Sequence, residues 1–205
     1  MIIVGYIAQL AFFLRFFVQY ISSEKRGKSV TPPLFWKLSL FGNSGLLLYA
    51  LSDAHFLVSL AQSQNAVLSW RNLNLLGPAS KRVSLGAVSL TLITAAVCCT
   101  LYFALFCDSW SPRPDLSVGL HLLGVVGVVL FGLRFWVQWW LAETKQSGEL
   151  TQAFWWISLV GACISSLYFF LISDWVNFVG PFVGLLPYSR NLYLMRKERA
   201  HVLGS

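Results

Sequence analysis

The chain has 205 residues, 57% of them hydrophobic and only 11% charged, with a mean hydropathy of +0.66. Soluble domains carry about a quarter charged residues, so this composition excludes an ordinary soluble enzyme and places the chain in a bilayer. The formal net charge of +7 reads as membrane topology and affinity for anionic lipid headgroups, not as a nucleic-acid surface.

Seven apolar runs approach the ~20 residues needed to cross ~30 Å of hydrocarbon. They are Ile2 to Ile21, Leu34 to Leu51, Phe56 to Trp70, Ser84 to Phe106, Leu116 to Leu141, Ala153 to Ser173 and Trp175 to Leu194. The first lacks the basic n-region and cleavage site of a signal peptide, and its sequence recurs in the fifth, so it reads as a permanent helix. The third is short and carries Gln62, Gln64 and Asn65. Ser52 to His55 alone join the second and third runs, and about Asp174 alone joins the sixth and seventh, which predicts two tight helical hairpins. Pro181 and Pro187 predict a bent or locally unwound last span, and Gly42, Gly45, Gly161 and Gly180 predict close helix approaches.

The chain also repeats itself. Gly5, Arg15-Phe16-Phe17-Val18-Gln19, Glu24, Phe35-Trp36, Ser39, Gly42, Tyr49 and Arg71-Asn72 return about 119 residues later. The second copy reads Gly124, Arg134-Phe135-Trp136-Val137-Gln138, Glu143, Phe154-Trp155, Ser158, Gly161, Tyr168 and Arg190-Asn191. Hydrophobic composition does not reproduce an Arg, a Gln, a Glu and an Arg-Asn pair at one offset, so the chain is a tandem duplication. Residues 1–75 form the first three-helix repeat, 76–115 a linker with an inversion helix at 84–106, 116–199 the second repeat and 200–205 a tail. Three helices alone would invert the second copy; the unmatched fourth span restores its direction. The expected fold is an all-α integral membrane bundle of seven transmembrane helices, with parallel repeats in 3+1+3 order.

Lys25, Arg26, Lys28, Lys81, Arg82, Lys145, Arg196, Lys197 and Arg199 fall in the first, third and fifth loops and the C-terminal tail, whereas the other side holds only Arg113. Basic loops stay cytoplasmic, so the N-terminus is expected outside and the C-terminus in the cytoplasm. Trp36, Trp110, Trp139, Trp140 and Trp175 suit an interfacial aromatic belt.

Few residues carry reactive chemistry. Cys98, Cys99, Cys107 and Cys163 show no zinc or disulfide spacing, His55 and His121 lack neighbouring ligands, and no nucleophile set or phosphate loop can be assembled. No metal and no cofactor is expected. The informative constellation is polar and repeated. Arg15 and Gln19 share a helix face, as do Arg134 and Gln138, both pairs within roughly 10 Å of the cytoplasmic end of their spans. Glu24 and Glu143 stand at the mouth as candidate partners, and Arg71-Asn72 and Arg190-Asn191 close the third helix of each copy on the same side. In one reading Arg15 snorkels or pairs with Glu24, while Arg71 and Arg190 are positive-inside anchors. In the other the guanidiniums form a phosphate or carboxylate site, whose ligand offsets the ~2–3 kcal/mol of burying each charge in a membrane. A contact with a protein partner is a third possibility. Trp36 and Trp155 either anchor at the interface or stack on a sugar ring.

At these residues the chain resembles a known family. Arg15 to Ser29, followed by Pro33, Phe35-Trp36, Ser39 and Arg71-Asn72-Leu73, looks like the domain found at the N-terminus of some lipid-A-disaccharide synthases. The second copy is similar, with Thr144-Lys145-Gln146-Ser147 in place of the basic Lys25-Arg26-Gly27-Lys28 stretch and Gln152 where the first has a proline. That domain resembles the three-helix unit of the SWEET and PQ-loop membrane families, which implies two parallel triple-helix units with a substrate between them. The chain departs from those families in lacking a Pro-Gln pair, Pro187-Tyr188 being nearest. It departs from lipid-A-disaccharide synthase in lacking the soluble glycosyltransferase portion, so enzymatic turnover by this chain alone is not expected.

Constellation and resemblance together point to a bacterial inner-membrane module of lipid A or glycolipid biogenesis. It would bind, present or translocate a phosphorylated glycolipid or polyprenyl-phosphate sugar. Arg15, Gln19, Glu24, Arg71, Asn72, Arg134, Gln138, Glu143, Arg190 and Asn191 are expected at the headgroup phosphate, with Trp36 and Trp155 near the saccharide. The implied partners are membrane lipids and a membrane-associated glycosyltransferase, and no nucleic acid. One alternative is a SWEET-like carrier of sugars or small solutes, marked by a mid-membrane pocket from Asn43, Gln62, Asn65 and Asn177. Another is a component of lipid-A-disaccharide synthase activity beside a separate glycosyltransferase.

Overall fold

A computed structural model describes residues 1–26, 31–111, 115–145 and 150–203, without the side chains of Ser23, Lys145 and residues 197–203. Gly27, Lys28 and Ser29 of the basic loop, Arg113, Gln146, Ser147, Gly204 and Ser205 lie outside the described residues. The described residues form seven α-helices: α1 (Ile2–Arg26), α2 (Pro33–Ser52), α3 (Phe56–Leu75), α4 (Leu85–Phe106), α5 (Val118–Lys145), α6 (Gln152–Leu171) and α7 (Trp175–Leu203). A short 3-10 turn, Ala79–Lys81, lies between α3 and α4.

Helices α1, α2, α4, α5 and α6 are long and apolar enough to cross a membrane. Their outward side chains are apolar too: Leu90, Leu105, Phe106, Val118 and Val129 are all more than half exposed. Such a surface is stable only against lipid, and the chain is an integral membrane protein. Helix α3 falls below that hydropathy because Ser59, Ser63, Asn65, Ser69, Arg71 and Asn72 face the interior.

Each copy is a run of neighbours, α1 on α2 on α3 and α5 on α6 on α7, while α3 meets α5 and α7 meets α1. Six helices therefore close a ring, with α4 outside it on α3. Adding 119 to the residue numbers of α3 and subtracting it from those of α5 turns the α3–α5 contact into the α7–α1 contact, so the ring has the symmetry of the repeat. Gly161 shows how tightly neighbours pack: a Cβ there would come within 2.9 Å of the Phe131 backbone nitrogen on α5.

The two hairpins are built from the same turn. Ala54 and Ser173, 119 apart, both adopt left-handed backbone, at φ 49° and 60°. Beyond them His55 N–H donates to the Ala50 carbonyl and Asp174 N–H to that of Phe169, each at 2.9 Å. This is the six-to-one bond that closes a helix over a left-handed residue.

Three expectations need correction. Helix α3 runs to Leu75, so Arg71 and Asn72 lie within it rather than at its end. Helix α7 is continuous through Pro181 and Pro187, with no unwound stretch. Trp36 is not an interfacial anchor: it is 1% exposed, wedged with Phe35 against Leu68, Val88, Leu92 and Phe135.

Candidate functional site

A cavity of about 50 Å³ sits at the centre of the ring. Gln9, Arg15, Asn43, Gln62, Asn65, Arg134, Ser165, Asn177 and Tyr188 supply its polar lining; Leu46, Val58, Val128 and Phe169 supply apolar wall, and no Asp or Glu contributes among the described residues. Arg15 and Arg134, equivalent in the two copies, are 3% and 2% exposed. Arg15 Nη1 donates to Ser39 Oγ at 3.2 Å, and the Ser39 hydroxyl donates in turn to the Phe35 carbonyl at 2.8 Å. Arg134 Nη1 donates to Tyr188 Oη at 2.6 Å, and Tyr188 lines the cavity beside Arg15. The Nε of each arginine has no hydrogen-bond partner among the described residues.

Aromatic faces take the place of carboxylates. Arg15 Cζ lies 4.5 Å from the Phe12 ring centre and 4.7 Å from that of Phe16, and Arg134 Cζ lies 3.5 Å from that of Phe131. Both arginines reach Phe135, at 5.5 and 4.9 Å, so two positive charges share one ring. A desolvated cation–π contact contributes ~2 kcal/mol or more. It leaves the net positive charge in place, and the forked N–H groups of two guanidiniums fit a phosphate or carboxylate. At ~10–15 Å³ per water, the cavity has room for a few waters or one small oxyanion, and not for a sugar ring with its substituents.

The remaining predicted site residues are elsewhere. Arg71 Nε and Nη2 grip Glu143 at 2.6 and 3.2 Å, and Nη1 donates to Asn74 Oδ1 and the Val83 carbonyl. Arg190 Nη2 pairs with Glu24 at 2.8 Å over the face of Tyr20. Each ion pair joins one copy to the other, and the offset converts one pair into its counterpart. Glu24 is therefore no partner for Arg15. Nine residues along α1 amount to about 13 Å and two and a half turns, which puts the two on opposite faces. Asn72 and Asn191 donate to carbonyls four residues back on their own helices, at 2.8 and 2.7 Å. Gln19 and Gln138 are buried but do not line the cavity. Trp36 and Trp155 are 1% and 0% exposed, which leaves no ring face open to stack on a saccharide.

The opposite end of the ring is also fastened across copies. Tyr49 Oη donates to Asp174 Oδ1 at 3.4 Å, and His55 packs edge-on against Tyr168 with ring centres 6.3 Å apart. Tyr49 and Tyr168 are equivalent, as are His55 and Asp174. Burial lowers the His55 pKa to about 4 and raises that of Asp174, so neither group is favoured as an ion there. The arginine cavity thus lies between two ends that are both fastened across copies.

A family model, the Lipid A Biosynthesis N-terminal domain, matches residues 4–74 and again 123–193, the same offset of 119 at both boundaries. The chain belongs to this family. Curated relatives similar to it are called lipid-A-disaccharide synthase. The Chlamydia muridarum protein is 34% identical over 205 residues, covering 95% of this chain and 34% of the relative. That of Chlamydia trachomatis serovar D is 33% identical over 211 residues, and that of Chlamydia felis 30% over 208. The chain thus spans about a third of the length of these relatives. No solved structure matches it.

The repeat identified Arg15 and Arg134 because they recur in both copies. It gave no signal for Gln9 and Asn177, whose counterparts are Val128 and Val58, although all four line the cavity. Amides inside otherwise apolar runs were the available clue, and the expected mid-membrane set of Asn43, Gln62, Asn65 and Asn177 drew on it.

Proposed function

We propose that this chain is an inner-membrane module of lipid A or related glycolipid biogenesis, binding and presenting or translocating a lipid whose phosphate is held by Arg15 and Arg134. One observation carries the reading: two equivalent, deeply buried guanidiniums meet in a cavity that is lined by amides and, among the described residues, by no carboxylate. Bringing two like charges together in a membrane interior is unfavourable, and a phosphate oxyanion is the ligand class that reverses the sign. The names of the relatives supply the lipid class, and the size of the cavity limits the contact to the phosphate. All seven helices cross the membrane in this account, with the N-terminus outside and the C-terminus cytoplasmic. A separate or fused glycosyltransferase acts on the presented lipid.

Native mass spectrometry with lipid A as probe tests this. Arg15→Gln and Arg134→Gln should each weaken association at least tenfold while the protein stays folded in detergent. Unchanged association in both variants would overturn the assignment.

A second reading, a small-solute carrier, draws on Asn43, Gln62, Asn65 and Asn177 lining the same cavity between two fastened ends. Uptake of free sugars by proteoliposomes, lost in Asn43→Ala and Asn65→Ala, distinguishes it from lipid binding.

A further inference from the structure

Helices α1 and α7 meet where the second copy closes onto the first. A second cavity, of about 260 Å³, opens there. Its walls are almost wholly apolar, with Leu10, Phe12 and Phe13 from α1 and Val179 and Val183 from α7. Leu10 and Phe13 are 56% and 51% exposed, so the groove faces outward, where a membrane protein meets lipid. Gly180 and Gly184, one turn apart, keep α7 low along its length.

This groove adjoins the arginine cavity: Gln9, Phe12, Phe16 and Gly180 line both. Gln9 is the partition. It is 5% exposed, its Nε2 donates to the Val176 carbonyl at 2.8 Å, and its Oε1 has no hydrogen-bond partner among the described residues. Its side chain abuts Gly180, where a Cβ would collide with it. An orphaned buried amide oxygen thus separates an outward apolar groove from an anion-seeking cavity.

We propose that the α1–α7 groove holds a hydrocarbon chain of the same lipid whose phosphate lies between Arg15 and Arg134, so that the lipid enters sideways between these two helices. The proposal rests on the phosphate reading of the arginine cavity. The volume exceeds the ~150 Å³ that accommodates a benzene ring in an apolar protein interior, and suits a stretch of alkyl chain. Continuity of the two spaces and the charge of the inner one select a chain with an anionic phosphate end over a helix of another protein or a second copy.

Two probes, one with a single alkyl chain and one with none, separate this proposal from the reading beneath it: dodecyl phosphate and inorganic phosphate, titrated into the purified full chain. Val183→Trp fills the groove without touching the arginine cavity. It should weaken dodecyl phosphate at least tenfold and change inorganic phosphate less than twofold, whereas Arg134→Gln should weaken both. If Val183→Trp leaves dodecyl phosphate within twofold while Arg134→Gln abolishes it, the groove assignment is wrong and the phosphate site stands. If the wild-type chain binds neither probe, both are wrong. A diazirine-bearing alkyl phosphate provides a readout that needs no variant: labelling is expected at Leu10, Phe13 or Val183. Labelling confined to α4 or α6, or crosslinks between two copies through the groove, would refute the proposal.

Discussion

Arg15 and Arg134 hold their charges against aromatic faces and hydroxyls, an arrangement that stabilises an isolated guanidinium without neutralising it. A lysine keeps the charge but loses the fork, so Arg134→Lys should retain membrane insertion yet bind lipid phosphate more weakly than wild type. His55 argues in the opposite sense. Buried beside Tyr168 and Phe169, with its pKa lowered to about 4 against 6.5 for the free group, it remains neutral in the fold. The unfolded chain therefore binds the extra proton first, and stability falls as pH drops from 6.5 towards 4, by about 2 kcal/mol at pH 5. The raised pKa of Asp53 and Asp174 acts the other way, their contribution being lost as pH rises through the folded values. Comparing detergent melting curves at pH 7 and 5 isolates the histidine: His55→Gln should remove most of the acid-side loss. A variant as acid-sensitive as wild type would assign the loss elsewhere.

The two ends of the ring are built from repeated elements that pair across copies, and their burial differs. Arg71 and Glu143 have side chains 6% and 20% exposed, whereas Arg190 and Glu24 are 41% and 56% exposed. Removing one partner of the buried pair should cost about 3 kcal/mol, and of the exposed pair less than 1 kcal/mol. Double-mutant cycles on Glu143→Gln with Arg71→Gln, and on Glu24→Gln with Arg190→Gln, measure both; equal couplings would contradict the burial argument. The hairpin turns offer a converse test, because Ala54 and Ser173 adopt a conformation that glycine takes without steric cost. Ala54→Gly and Ser173→Gly should each stabilise by about 0.5–1 kcal/mol in thermal melts, and a loss would show that the turns are held by other contacts.

Much at this scale was legible in the chain. Seven apolar runs became seven helices, and the recurrence of Arg15, Glu24, Tyr49 and Arg71 marked the positions that bridge the copies. The pairing was not legible. Glu24 is nine residues from Arg15 and 166 from Arg190 in sequence, and only the closure of α7 onto α1 selects the distant partner. Trp36 and Trp155 show the complementary error: their place at the start of a span suggested the interface, but they turn inward into apolar clusters.

At the scale of the whole molecule, duplication produces a ring of six helices around a central cavity, fastened at both ends and grooved between α1 and α7. The cavity departs from the symmetry of its frame: Gln9 on α1 and Asn177 on α7 stand where the other copy has Val128 and Val58, so its polar lining is unequal between the copies. An asymmetric polar wall beside the outward groove fits a lipid that enters from one side better than a solute passing along the axis. The central claim is that Arg15 and Arg134 together hold a lipid phosphate. Quantifying phosphorus-containing lipid that copurifies with the detergent-extracted chain tests it most directly. About one phosphate-bearing lipid per chain is expected for wild type and little in the Arg15→Gln/Arg134→Gln double variant; equal amounts in both would show that the two arginines do not hold the phosphate.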